Sequence, residues 1–266
     1  MAKDYQDVAD YFFELASKQR LDILQRLAKS PSKITKIAKE IGATVPEVHR
    51  NFERLVESSL VEKNGNGEFH VSVFGSMVLE QIPSFTFMTK NEKYFKNHIF
   101  WNIPAKFIQR VGALNDSEYI KGFVKIQECW KSIYSNAQKQ IQNILYEAPY
   151  SLEIMKLLDN KIKSGVRLQT IFSENIIVPK ERRQIIEKSG FKKNIQDGLF
   201  ERKMRKDVSC VVVLNENEAC LSFPKSSEPD VGEAFYGKNP DFIEWCKDYF
   251  LHCWDSSDPF RESKLD

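Results

Sequence analysis

The side chains best suited to chemistry lie within one short segment, residues 44–54. Arg50 can donate two parallel hydrogen bonds to the O6 and N7 acceptors of a guanine, and its neighbours can reach other base edges or phosphates. Residues 18–54 contain nine basic and four acidic side chains, and three lysines outside the segment suit phosphate oxygens. The complete set of expected DNA contacts is Lys33, Lys36, Thr44, Val45, Glu47, His49, Arg50, Asn51, Arg54 and Lys63.

The elements that must position this segment are four short helices, predicted from the spacing of apolar residues before residue 57. Ser32 is expected to cap the third helix, and Gly42 is expected to end it as a C′ residue. Thr44-Val45-Pro46-Glu47 has the composition of a capping box at the start of the fourth helix. A short helix, a turn that contains glycine and a capped second helix together indicate a helix-turn-helix.

A hairpin follows this pattern. Residues 60–63 and 68–72 alternate as strands, and the turn Asn64-Gly65-Asn66-Gly67 joins them. A closing helix at residues 74–82, ended by Pro83, would complete a first domain of residues 1–83. The sequence therefore predicts a winged helix-turn-helix. The alternative is that its charged faces are merely solvated and that the domain contacts proteins.

Residues 18–82 resemble the archaeal winged-helix repressors of the arsenic-regulator type. The resemblance rests on the segments RLDIL (20–24), ITKIAKEI (34–41) and VHRNFERLVESSLV (48–61). Metal-sensing members of that group carry a Cys-x-Cys motif in the recognition region, whereas the first cysteine of this chain is Cys129. Metal sensing by thiolates is therefore not expected of this domain.

Residues 84–140 are rich in aromatic side chains and are predicted to form linking and dimerisation helices. From Tyr119 to Ile144 apolar residues recur at spacings of three and four, close to a heptad seam. Such a seam belongs to a dimer helix or to a core helix. Two-fold pairs usually read the DNA sites of these modules, which favours a homodimer.

Residues 141–258 alternate between strand and helix patterns and predict an α/β effector or sensor domain, so that the whole chain is α+β. The predicted strands are residues 141–146, 166–172, 199–204, 208–214 and 219–223, and the predicted helices are residues 152–163, 179–188 and 235–254.

Residues 90–256 resemble the middle domain of the archaeal methanogenesis-regulatory (formate-intracellular filament) transcription factors. The matching segments are FWNIP (100–104), RVGALNDSEY (110–119) and IEWCKDYF (243–250), with Trp254. The resemblance implies a transcription regulator, of the repressor type, whose second domain senses a small molecule or a protein. That domain is similar to the phospholipase D half-fold.

The phospholipase D signature is His-x-Lys-x4-Asp, and none of the four histidines here has a lysine two positions later. We therefore expect no catalytic residue, no enzyme activity and no cofactor. The alternative is a phosphodiesterase-like or nucleotide-binding enzyme that has lost the signature. Cys246 and Cys253 lie about 10 Å apart on a helix, too far to share one zinc ion, so buried thiols are expected and no metal.

Charge and composition bound the remaining possibilities. The chain of 266 residues carries a net charge of +2, but residues 160–206 hold 13 bases and 5 acids, and residues 207–266 hold 5 bases and 13 acids. These opposed blocks either neutralise each other, add non-specific affinity for DNA, or form a basic pocket for a small anionic effector. In the last case, the expected effector-binding residues are Arg167, Arg182, Arg183 and Arg202.

Apolar runs and cysteines indicate where the protein acts. No apolar run approaches the roughly 20 residues of a membrane span, and five cysteines without a CxxC pair fit a cytoplasmic protein.

Overall fold

A computed structural model of the protein describes residues 5–100, 102–147, 151–177, 191–225 and 230–261. The chain divides into two compact units, Met1–Pro83 and Ser84–Asp266. The helices are α1 (Gln6–Leu15), α2 (Lys18–Lys29), α3 (Ile34–Ile41), α4 (Val45–Glu57), α5 (Val73–Leu79), α6 (Ile82–Lys90), α7 (Glu92–Phe95), α8 (Ala105–Ile108), α9 (Phe123–Asn136), α10 (Leu152–Lys163), α11 (Phe191–Gln196) and α12 (Pro240–Asp255), with a 3-10 turn at Val111–Leu114. The strands are β1 (Val61–Lys63), β2 (Phe69–Val71), β3 (Glu118–Lys121), β4 (Gln140–Glu147), β5 (Arg167–Ile177), β6 (Phe200–Arg205), β7 (Val211–Asn215), β8 (Ala219–Ser222), β9 (Glu233–Gly237) and β10 (Asp258–Pro259).

The first unit is the winged helix-turn-helix that the sequence predicts. Helices α2, α3 and α4 bury one apolar face each, and β1 and β2 form the antiparallel hairpin, called the wing below. Phe52 of α4 meets Phe69 of the wing edge to face, with ring centroids 4.7 Å apart. Gly42 ends α3 at φ 68°, a left-handed conformation that costs glycine little.

Two details of the first unit correct the predictions. Ser32 does not cap α3, because it pairs with Phe69 in a bridge of two backbone hydrogen bonds of 2.9 Å, and Lys33 takes the capping position. Pro83 does not end the preceding helix, which stops at Leu79. It lies instead in the first turn of α6, where the missing N–H has no intrahelical partner to lose.

The second unit is built on one eight-stranded sheet in the order β10-β6-β5-β4-β7-β8-β9-β3. Strands β4, β5 and β6 are parallel, and the pairs from β4 through β7, β8 and β9 to β3 are antiparallel. Helices α9 and α10 cover one face through residues such as Ile126, Ile133 and Leu158. Helix α12 covers the other face with Trp245 and Phe250.

The heptad-like seam does not form one continuous helix. Tyr119 lies in β3, Gly122 (φ 112°) begins α9, and Ile144 lies in β4. The inward residues of α9 are buried in the core of the sheet, which makes α9 a core helix. Residues 84–140 are therefore part of the second unit and not a separate linking segment, because β3 pairs with β9 at the edge of the sheet.

The last helix starts later than predicted. Phe235 belongs to β9, and α12 begins at Pro240 behind an Asn239 cap. The predicted helix at residues 179–188 lies outside the described residues. Among the helices that the structure describes, none is both long and apolar enough to cross a membrane.

Candidate nucleic-acid interface

Helix α4 begins with the capping box that the sequence predicts. The Glu47 carboxylate accepts the Thr44 backbone N–H at 3.0 Å and the Thr44 hydroxyl at 2.8 Å. These hydrogen bonds, the hydroxyl bond foremost, hold the pKa of Glu47 below its ordinary value. Glu47 is therefore engaged in fixing the start of the helix, and the N-terminal turn of α4 is rigid and exposed.

The outer face of α4 is set by what its inner face buries. Val48, Phe52 and Leu55 lie in the core, so Val45, His49 and Arg50 point to solvent. The Arg50 guanidinium forms no hydrogen bond or ion pair with any residue that the structure describes. His49 lies 3.5 Å from Glu53, one turn further along the helix. Arg50 is thus the arginine of α4 that is available to a partner.

Arg54 and Asn51 face inward to the rest of the unit. Arg54 donates from Nε to Glu14 of α1 at 3.0 Å, and this bond raises the pKa of Arg54. Buried Arg20 reaches the same Glu14, through its carboxylate at 3.4 Å and its backbone carbonyl at 2.6 Å. Asn51 donates to the side chain of Gln19. The structure therefore gives these two predicted contact residues intramolecular partners.

The three lysines expected at phosphates are all exposed. Lys33 precedes α3, Lys36 lies in its first turn, and neither forms an ion pair with a described residue. Lys63 lies on the wing, with its ammonium 5.6 Å from the centre of the Phe69 ring. The turn of the wing is fixed by Asn64, whose side-chain oxygen accepts two backbone N–H groups at 2.9 and 3.0 Å.

An exposed apolar surface on α1 and α5 is a feature that sequence reasoning missed. No residue of α1 is buried, and Tyr5 and Phe13 are more than half exposed. On α5, Val73 is 82% exposed and Met77 is 65% exposed. Val73 and Met77 are one turn apart on α5, and Tyr11 of α1 meets Phe74 of α5 with ring centroids 5.1 Å apart. Sequence spacing alone does not show whether the chain itself covers this surface.

Of the four predicted effector residues, the structure describes Arg167 and Arg202, and these two lie apart. Arg167 is exposed at the start of β5, whereas the Arg202 guanidinium lies 4.2 Å from the ring centre of Phe260. Arg202 of β6 pairs with Thr170 of β5. Arg167 is three residues before Thr170, so it lies about 10 Å from this pair, toward the start of β5. Arg182 and Arg183 lie outside the described residues.

The cysteines and acidic residues offer little to a metal ion. Cys246 and Cys253 are buried free thiols, and burial raises the pKa of each. In the described ranges, His98, Asp230 and Glu233 bring their ligand atoms within 4.8 Å of one another. Lys225 already lies 3.0 Å from Asp230, and Lys121 lies 2.9 Å from Glu233. The cluster is therefore a satisfied ion-pair network. Its members are too far apart in sequence for a motif to reveal them.

Comparison with known proteins places these observations in context. The family model described as "HVO_A0261 N-terminal domain" matches residues 8–92. No curated protein matches the chain. Among solved structures the chain is similar to TrmBL2, described as an archaeal chromatin protein with a novel mode of DNA binding, at 10% identity and a TM-score of 0.43 over 86% of this chain and 88% of that one.

Two further similarities concern smaller parts of the chain. Nuc of Salmonella typhimurium, a phospholipase D family member, is 14% identical with a TM-score of 0.41 over 55% of this chain and 100% of that one. NucT from Helicobacter pylori is 12% identical with a TM-score of 0.42 over 55% of this chain and 99% of that one.

Proposed function

We propose that the chain is a sequence-specific, DNA-binding transcription regulator of the repressor type that acts in the cytoplasm. The observation that carries the proposal is the exposed Arg50 guanidinium, which forms no hydrogen bond or salt bridge with a described residue, on the outer face of a firmly capped α4. A helix of this kind enters the major groove with its N-terminal residues toward the base edges. Arg50 would donate to a guanine, a contact worth about 1–3 kcal/mol of discrimination against a wrong base.

Phosphate contacts would orient the domain on the duplex. Three exposed lysines suit this role. Lys33 and Lys36 lie at the start of α3, before α4 in the sequence, and Lys63 lies on the wing, after α4. Such contacts carry no sequence information, and they make affinity fall as salt rises. In this proposal Asn51 and Arg54 support the position of α4 and do not read bases, because both already have partners within the unit.

The regulator is proposed to act as a homodimer. The exposed apolar surface of α1 and α5 supports this, since monomeric proteins rarely leave several large apolar side chains together in water. Two copies related by a two-fold axis would present two α4 helices to two half-sites.

The second unit is proposed to sense a small molecule or a protein signal. A ligand changes DNA affinity only if it binds one arrangement of the dimer better than another. Repression would then be relieved or imposed as the ligand shifts the population of DNA-binding dimers.

Fluorescence anisotropy tests the DNA-binding claim. We titrate three proteins: the wild type, Arg50→Ala and Lys247→Ala. Each is added to labelled DNA from upstream of the protein's own gene and to scrambled DNA of the same composition, at several salt concentrations. Lys247 is exposed on α12 and is the charge-matched control. We expect preference for the upstream DNA, lost in Arg50→Ala and retained in Lys247→Ala. Equal affinity for both DNAs, unchanged in Arg50→Ala, would contradict the proposal.

A further inference from the structure

The sheet of the second unit has a polar cavity at one edge. Strands β4, β5 and β6 run parallel, and their carboxyl ends meet at a cavity of about 160 Å³. In open sheets of this type ligands bind outside the carboxyl ends of the parallel strands, where the strand order changes direction. Here the change occurs at β4, which pairs in parallel with β5 and antiparallel with β7.

The connection between β6 and β7 forms one wall of the cavity. Residues 206–210 leave β6 and must pass the ends of β5 and β4 to reach β7, a distance of about 14 Å across three strand spacings. The pairing of Ser173 with Arg205 brings Lys206 beside Glu174, in the last third of β5, and the register of β4 with β7 brings Ser209 beside the end of β4. The Ile99 N–H donates to the Pro224 carbonyl at 2.9 Å, and both residues line another wall.

The polar side chains in this cavity are available to a ligand. Buried Ser173 accepts the Asn175 N–H at 3.2 Å, which leaves its own hydroxyl proton free to donate. Ser209 is a buried residue, and its hydroxyl makes no hydrogen bond to a described residue. The Lys206 ammonium forms no ion pair within the described part of the chain, and the Asp207 side chain lines the same cavity.

The geometry points to a binding site for a small hydroxylated anion. Lys206 would pair with the anionic group, and the Ser173 and Ser209 hydroxyls would donate to its oxygens. The Asp207 carboxylate would accept from the hydroxyl groups of the ligand. A cavity of about 150 Å³ holds a molecule the size of benzene, so a ligand with about six to ten non-hydrogen atoms fits.

This inference rests on the sensing role proposed above and names its ligand class. It places the site at the carboxyl edge of the sheet. Of the expected effector residues, Arg167 lies away from this edge, at the opposite, N-terminal end of β5. The carboxylate and phosphate forms of such a ligand share the same chemistry toward Lys206, so the experiment must separate them.

Isothermal titration calorimetry on the full chain without DNA tests the site. The probes are glycerate, glycerol 3-phosphate and, as the neutral control, glycerol. We expect saturable binding of at least one anion and affinity for glycerol at least about tenfold weaker, because a charge-assisted hydrogen bond is lost. The anion that binds identifies the carboxylate or the phosphate form.

Three variants connect binding to the cavity. Lys206→Ala is expected to weaken binding by about tenfold or more and Ser209→Ala by about threefold or more, while Lys247→Ala leaves binding unchanged. Thermal unfolding of each variant shows that it is folded. Absence of binding by both anions at millimolar concentration, equal binding of glycerol, or unchanged binding in folded Lys206→Ala would overturn the inference. Because no DNA is present, none of these outcomes depends on whether α4 binds DNA.

Discussion

Asp230→Asn is expected to destabilise the second unit strongly, because it removes the carboxylate from a buried pair. The His98 side chain is fully buried, and its Nδ1 donates to the Tyr94 carbonyl at 2.7 Å. Its Nε2 lies 3.0 Å from the Asp230 carboxylate, which also accepts Lys225 at 3.0 Å and the Gly232 N–H at 2.8 Å. An asparagine would leave Lys225 without its counter-charge and would replace the carboxylate beside His98 Nε2 with a neutral amide.

The magnitude follows from burial. Breaking a buried ion pair by removing one partner costs about 3–5 kcal/mol. Lys225 is 42% exposed and can be resolvated, so the low end, about 3 kcal/mol, applies. For a unit of this size each kcal/mol shifts the unfolding midpoint by about 2–4 °C, which predicts a decrease of about 6–12 °C.

The same carboxylate makes stability depend on pH. Burial raises the pKa of Asp230, but the Gly232 N–H, His98 and Lys225 outweigh it and hold the pKa below its ordinary value. A folded-state pKa below the unfolded value means that the stabilisation is present above about pH 4 and is lost as pH falls through the folded value. The asparagine variant has no carboxyl group at this position, so its stability should not decrease for this reason as pH falls.

Differential scanning calorimetry from pH 7 down to pH 3 measures both effects. Asp197→Asn is the matched control, because Asp197 is exposed and its side chain has no partner among the described residues. A midpoint decrease below about 2 °C in Asp230→Asn, or an acid-side decline as steep in the variant as in the wild type, would refute the reasoning.

Other predictions concern packing, assembly and thiol reactivity. Gly75→Ala should lower the free energy of unfolding of the first unit by about 3 kcal/mol in chemical denaturation, since the new Cβ would lie 2.1 Å from the Leu60 carbonyl oxygen. Gly65→Ala is the control and should change the free energy of unfolding little, because no atom lies within 4 Å of its Cβ position. If the proposed homodimer forms through the α1 and α5 surface, the wild type should be dimeric and Met77→Glu monomeric in light scattering, and a variant that stays dimeric would exclude this surface as the interface. A thiol reagent followed by mass spectrometry should label partly exposed Cys129 long before Cys246, whose pKa is raised by burial. Equal labelling rates in the native protein would show that the core opens readily.

The sequence predicted elements well where local chemistry determines them. The capping box at Thr44 and the wing turn at Asn64 each depend on residues within four positions, and both form as predicted. Helix α10 has the predicted bounds, Leu152–Lys163, because its apolar spacing and the glycine that follows it agree. Local agreement of this kind is the condition under which pattern reasoning succeeds.

Prediction failed where distant parts of the chain determine the structure. Strands β3 and β9 pair across more than a hundred residues, and the apolar spacing around Tyr119 happens to match a helix as well. The partners of Arg54 and His98, at Glu14 and Asp230, are likewise set by tertiary packing. The cavity at the carboxyl edge could not be predicted either, because residues from five separate parts of the chain line it.

The central claim is that Arg50 reads a guanine in the major groove, and base-analogue substitution tests it most directly. Each guanine of the upstream site is replaced in turn by 7-deazaguanine, which lacks the N7 acceptor, and anisotropy gives the affinity of the wild type and of Arg50→Ala. We predict one guanine per half-site at which the analogue weakens DNA binding by the wild type by about fivefold or more and leaves DNA binding by Arg50→Ala unaffected. Equal losses in both proteins at every guanine would contradict it.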